Sequence, residues 1–162
     1  AEEAGLTDRS MDAVTVAQAI HWFDLDKFYA EVRRVLKPGG VLVVWGHVTP
    51  RIAPEIDRVV EAFNDRTLAV DWSPSLRSLH DRYRTLPFPC AEITAPELAA
   101  EAHWTLADLI GHLSSWSGVQ AYRQARGSDP IDLIRAELER AWGGAGRRFI
   151  RWPLSMRAGY LT

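Results

Sequence analysis

The sequence predicts an α/β fold with neighbouring parallel strands, and three stretches near its start carry that prediction. Residues 12–18, DAVTVAQ, are mostly apolar or β-branched. They lack the alternation of a strand with one wet face, which suits a strand covered on both faces of a parallel sheet. From residue 25, Leu25, Phe28, Tyr29, Val32, Val35 and Leu36 recur at helical spacing, with Glu31, Arg33 and Arg34 turned outward. Residues 41–45, VLVVW, form a second short apolar run. Strand, helix and strand with short joints make a βαβ unit, whose crossover is right-handed.

The remaining elements follow in order. Asp24 is placed to cap the first helix through its side-chain oxygen, and Pro38, Gly39 and Gly40 stop that helix. Residues 52–68 read as a helix with Ile56, Val59, Val60 and Phe63 on one face. DWSPSLRSLHDRYRTLPFP, rich in Trp, Arg and Pro, reads as a lid, and residues 70–90 as an insertion. Residues 98–104, LAAEAHW, are a candidate strand. Thr105 and Asp108 open the helix LADLIGHLSSW in the manner of a capping box. DPIDLIRAELERAW is a further amphipathic helix with proline in its first turn. RRFIRWPL and then SMRAGYL read as a closing strand, broken or edged at Pro153.

Composition narrows the function classes. With 162 residues, 47% hydrophobic and 25% charged, the chain falls in the range of one ordinary globular domain. A net charge of -2 without long runs of either sign favours neither nucleic acid nor an anionic membrane as the main partner. The single cysteine, Cys90, excludes an intrachain disulfide, so a reducing cytoplasm is the expected compartment. No apolar stretch is long enough to span a bilayer, and no basic-then-apolar leader is visible. His21, His47, His80, His103 and His112 show no close ligand pair, and H-E-x-x-H does not occur, so no metal site is expected. G-x-S-x-G is absent too, against an α/β-hydrolase.

The stretch AEEAGLTDRSMDAVTVAQAIHWFDLDKFYAEVRRVLKPGGVLVVW resembles the second half of a class I S-adenosylmethionine-dependent methyltransferase. Within that superfamily it is similar to the trans-aconitate methyltransferase-like small-molecule enzymes. The carrying residues are Ala1 and Glu2, residues 10–12, AQAIHWFD at 17–24 and EVRRVLKPGG at 31–40, with LSSWSGVQAYRQARGSDP and WPLSMRAG further on. The resemblance implies a Rossmann-like, seven-stranded class I methyltransferase sheet with a helical cap insertion and a closing hairpin. Its fourth strand would be residues 12–18, its fifth 41–45, its sixth near 98–104 and its seventh near 148–154. It further implies S-adenosyl-L-methionine as cofactor and a small-molecule acceptor, a carboxylate or hydroxyl, at the carboxyl ends of the strands.

The chain departs from the family pattern in one respect. No G-x-G-x-x-G or Asp-x-Gly-x-Gly occurs, and Gly39-Gly40 and Gly143-Gly144 follow helices rather than open them. The N-terminal strands, the glycine-rich loop and the ribose-binding acid are therefore expected to be missing. Residues 1–162 are then expected to be a single partial methyltransferase domain, a fragment inactive alone. Its first strand would be an exposed edge open to self-association. The alternative function is a non-catalytic truncated domain, a partner-binding remnant without cofactor.

The resemblance and the residues together nominate a site. Ala1 and Glu2 match a loop that passes the adenine. Ala17, Gln18 and Ala19 match the strand end beside the methionine part, where alanines let the backbone approach closely. His21 is the candidate catalytic group and also a substrate contact, because imidazole can take or orient a hydroxyl proton. Trp22 offers an aromatic face to a sulfonium, or a contact to substrate. Trp45 and His47 after the second strand, with Tyr83 and Arg82 in the lid, are candidate substrate contacts. An arginine fork there, with Arg84 beside it, suits a carboxylate.

Overall fold

A computed structural model describes residues 1–162 apart from Val48, Pro74, Leu76, Arg77, Ser78, His80, Ala145 and Thr162. In chain order it contains β1 (Met11–Ala17), a 3-10 turn (Ile20–Trp22), α1 (Leu25–Val35), β2 (Leu36–Gly46) and α2 (Pro54–Ala62), which runs into a π-helical turn (Phe63–Thr67). Next come β3 (Cys90–Ile93), β4 (Ala99–Trp104), α3 (Leu106–Ser114) and α4 (Ser117–Arg126). A 3-10 turn (Pro130–Leu133), α5 (Arg135–Trp142), β5 (Arg148–Pro153) and β6 (Ser155–Leu161) complete it. These elements divide into two compact units. The first comprises Ala1–Val48, Ser75–Leu98 and Leu154–Thr162; the second comprises Thr49–Pro74 and Ala99–Pro153. The stretch read as an insertion is thus shared between them.

The first unit is built on a four-stranded sheet of order β1-β2-β6-β3. β1 and β2 are parallel, from Ala13 opposite Val41 to Ala17 opposite Trp45. α1 is the crossover, as the βαβ reading expects. Asp24 accepts a hydrogen bond from the Lys27 backbone N–H at 3.3 Å and starts the helix. Phe28, Tyr29, Val32 and Val35 form its buried stripe. The helix yields at Leu36, already extended at φ -70° and ψ 138°, because Pro38 and the residue before it cannot continue a helix. β6 runs antiparallel to both β2 and β3. The outer side of β1 pairs with no described strand, and Ala13, Thr15 and Ala17 are exposed while Val16 is buried.

The closing strands fall elsewhere than expected. Residues 98–104 and 148–154 do not enter this sheet. They correspond to β4 and β5, which pair antiparallel with each other, Ala99 opposite Pro153 to Trp104 opposite Arg148. The sheet is closed instead by β3 and β6. The alternation of β5, with Ile150 and Trp152 buried and Arg151 exposed, is that of a half-buried two-stranded sheet. SMRAGYL, read as part of the closing strand, is β6, and its Gly159 is required by the close approach of β3. A Cβ there would lie 2.8 Å from the Ala91 carbonyl oxygen.

The second unit has its own core. Ile56, Val59, Val60 and Phe63 of the α2 region meet Leu109 and Leu113 of α3, Leu138 and Trp142 of α5, and Ile150 and Trp152 of β5. The expected capping box is present: the Thr105 side chain accepts from the Asp108 N–H while the Asp108 carboxylate accepts from the Thr105 N–H. The helix expected over DPIDLIRAELERAW is split into the Pro130–Leu133 turn and α5, and α4 adds a helix the periodicity does not announce. No helix among the described residues is long and apolar enough to cross a membrane. Thr105→Ala removes one half of the box and is expected to lower the stability of the second unit by about 1 kcal/mol, read as a lower urea midpoint.

Candidate active site

The carboxyl end of β1 is tied to the carboxyl end of β2 through one residue. Gln18 takes a left-handed backbone, φ 49°. Its N–H donates to the Trp45 carbonyl at 2.7 Å, and its side-chain oxygen accepts from the His47 N–H at 3.0 Å. This clamp turns the chain at the sheet edge. Ile20, wholly buried, pins the turn that follows, and His21 and Trp22 are carried up at the rim. The Trp22 ring is 59% exposed and stands 5.0 Å, centroid to centroid, from that of His21. Phe23 turns back to pack on Phe28 at 5.0 Å.

His21 has a buried Nδ1 with no hydrogen-bond partner among the described residues. Burial holds its pKa below the ordinary value of 6.5, so the ring is neutral at physiological pH and keeps an acceptor lone pair.

Cavities open among the described residues of the first unit. One, of about 290 Å³, runs along β1 and α1. Ala1, Ala17 and Ala19 line it, together with Phe23, Phe28 and Val32. Three of the nominated cofactor residues thus share one cavity, whereas Glu2, Gln18 and Trp22 lie outside its lining. Glu31, the charged member of the lining, is committed elsewhere. Expected on the outer face of α1, it is instead buried. It accepts from the Ala4 N–H at 2.8 Å and from both Arg34 Nε and Nη2, at 2.8 and 2.7 Å, and those bonds are what make its burial tolerable. Arg34 also donates to the Leu6 carbonyl and to Asp8, and Glu2 accepts from the Asp24 N–H at 3.0 Å. The opening residues are therefore strapped to α1.

The second cavity, of about 440 Å³, lies at the same edge of the sheet. It is lined by Arg82, Arg84, Glu92, Ser155, Met156 and Arg157 among others. Ser155 and Met156 stand opposite Gly46 and Trp45 in the β2–β6 ladder, which places this cavity beside the end of β2. Arg157 is paired with Glu92 and also donates to the Tyr83 and Leu86 carbonyls at 3.0 and 2.6 Å. Arg82 and Arg84 make no ion pair to a described residue. Tyr83 between them is buried against Gly46. Trp45 is half-buried, and the His47 N–H is held by Gln18. His80 lies outside the described residues. Among those described, no group of three or more His, Cys, Asp or Glu is arranged to hold a metal. Sequence reasoning missed Arg157, Gly46 and the Glu31–Arg34 strap. Only the i, i+3 spacing of Glu31 and Arg34 offered a signal.

Comparisons with known proteins bear on the family and the fold. Residues 1–44 match the methyltransferase domain family. A methyltransferase-like protein of Dictyostelium discoideum is 31% identical over 149 residues, 88% of this chain and 55% of its own length. An uncharacterized methyltransferase of Mycobacterium tuberculosis is 59% identical over 46 residues, 28% of this chain and 19% of its own length. A solved structure from Anaeromyxobacter dehalogenans, assigned as a type II methyltransferase, is 42% identical with a TM-score of 0.90. That comparison covers 98% of this chain and 68% of the other. The fold is that of the class I methyltransferases, and the chain belongs to that family. It spans about 55% of the length of the Dictyostelium relative.

The strap makes a pH prediction. The Glu31 carboxyl is lowered from 4.5 to about 2, first by the hydrogen bond from Arg34 and then by that from the Ala4 N–H. Because the folded value lies below the unfolded one, the strap's contribution is complete above 4.5 and is lost as pH falls toward about 2. A carbon-13 NMR titration is expected to show the Glu31 carboxyl with a midpoint near 2. A midpoint at the ordinary 4.5 overturns the strap.

Proposed function

We propose that this chain provides the acceptor side, and one flank of the cofactor site, of an S-adenosyl-L-methionine-dependent methyltransferase. The acceptor is a small molecule presented through a carboxylate, as in the trans-aconitate methyltransferase-like subgroup. The observation that carries this reading is the convergence at one sheet edge of the Ala17–Ala19 strand end, the unpartnered His21 Nδ1 and the cavity flanked by Arg82 and Arg84.

The residues present fit part of the cofactor. Small Ala17 and Ala19 would leave the apolar cavity room for the adenosyl and sulfonium portions, and the turn that carries His21 and Trp22 follows directly after Ala19 in the chain. The lining offers no uncommitted carboxylate for ribose hydroxyls, since Glu31 is satisfied by Arg34 and Ala4. Bound, S-adenosyl-L-methionine supplies a methyl group on a positively charged sulfur. The chain's own work is to hold the reactants close and aligned, on which an in-line displacement chiefly depends. The Trp22 face favours positive charge through its quadrupole. Arg82 and Arg84 fix a carboxylate acceptor by charge-assisted hydrogen bonds. A carboxylate oxygen needs no base; for a hydroxyl acceptor the neutral His21 ring takes the proton.

Calorimetric titration with S-adenosylhomocysteine tests the cofactor half. The 162-residue chain is expected to bind weakly, on the order of 1 mM. Ala17→Leu fills the mouth of the cavity from an exposed strand position and is expected to abolish that binding. It should change stability by no more than about 0.5 kcal/mol. Micromolar binding contradicts a partial site, and affinity unchanged by Ala17→Leu contradicts its location.

A further inference from the structure

The segment between Asp81 and Leu86 is strained. Arg82 and Tyr83 both have φ of 61°, a left-handed conformation that bulky residues rarely adopt. Tyr83 is wholly buried, yet its hydroxyl has no hydrogen-bond partner among the described residues. An unmatched buried hydroxyl is destabilising, and such strain persists only where surrounding structure enforces it.

Here the surroundings do enforce it. Arg157 donates to the carbonyls of Tyr83 and Leu86 and lies over the Phe88 ring at 4.6 Å. The Tyr29 hydroxyl donates to the Pro87 carbonyl at 2.5 Å. At the other end of the phenol the protein has left space: a Cβ on Gly46 would lie 2.7 Å from the Tyr83 hydroxyl. The hydroxyl therefore rests against bare backbone at the end of β2, at the Gly46–Ser155 rung from which Ser155 lines the arginine-flanked cavity. The two neighbours of Tyr83, Arg82 and Arg84, line that cavity while Tyr83 does not.

We propose that Arg82–Tyr83–Arg84 is an acceptor-operated latch. When a carboxylate is drawn in by Arg82 and Arg84, the segment relaxes from its left-handed conformation, and the Tyr83 hydroxyl turns to donate a hydrogen bond to that carboxylate. Tyr83 is then a specificity-determining residue, held out of reach until an anion is present. This rests on the carboxylate reading of the cavity and adds to it the donor that completes recognition. Burial pushes the phenol pKa up to about 12, so the group remains a donor across the physiological range. Replacing hydroxyl by hydrogen removes both the unmatched group and the donor. The latch therefore has an unusual signature: better stability with poorer binding.

The test uses malonate as a small carboxylate probe, titrated calorimetrically into the wild-type chain, Tyr83→Phe, and the double variant Arg82→Ala/Arg84→Ala. Wild type is expected to bind, the double variant to lose binding, and Tyr83→Phe to bind at least about tenfold more weakly with an equal or higher melting temperature. Equal malonate affinity in Tyr83→Phe and wild type overturns the latch while leaving the arginine reading intact. Loss of melting temperature together with affinity assigns Tyr83 a structural role and overturns it as well. If wild type does not bind malonate, or the double variant binds equally, the carboxylate reading fails and the latch with it.

Discussion

The parallel pairing of β1 with β2, locked at its carboxyl end by Gln18, is the constraint on which the site depends. Parallel strands joined by one crossover helix end at the same edge of the sheet, and loops that leave that edge are brought together whatever their distance in sequence. The double attachment of Gln18, to the Trp45 carbonyl and the His47 N–H, converts that general property into a fixed geometry. It ends the ladder, bends the chain into the Ile20–Trp22 turn, and puts His21 and Trp22 beside the end of β2. β6 then brings Ser155 and Met156 to the same edge from the opposite direction.

Arginine does most of the bracing in the first unit. Arg34 binds Glu31, Asp8 and the Leu6 carbonyl and holds the opening residues on α1. Arg157 binds Glu92 and two carbonyls and holds the segment that carries Tyr83. In each case a planar fork satisfies several acceptors at once, which a lysine could not do with the same geometry. Arg82 and Arg84 differ in having exposed side chains and no carboxylate partner among the described residues. Bracing by some arginines and availability of others is the distinction that composition alone cannot make.

What is legible in the sequence is what repeats. β1, α1 and β2 declare themselves through an apolar run, a helical period and a Pro-Gly-Gly stop. Asp24 and Thr105 declare their helices through caps that act within one turn. What is not legible depends on distant partners. β3 is four residues long, CAEI, and mostly exposed, too short to show a pattern. β6 reads as a strand, but its pairing with β2 and β3 does not, and its Gly159 is demanded by the backbone it meets. β5 alternates so regularly that it reads as the better sheet strand, although its partner is β4. The site divides in the same way. Ala17, Ala19, His21 and Trp22 follow one strand end and can be nominated from it. The burial of Glu31 and the approach of Tyr83 to Gly46 arise from contacts between residues far apart in the chain.

The proposed methyl-donor site lies at the carboxyl edge of the β1–β2 pair. Amide chemical-shift mapping with S-adenosylhomocysteine tests it most directly. The expected result is perturbation concentrated at Ala17, Gln18, Ala19, His21 and Trp22, with Met11, Lys37 and Tyr160 at the opposite edge unmoved. Perturbation centred on Met11, Lys37 and Tyr160, with the Gln18 region silent, would contradict it.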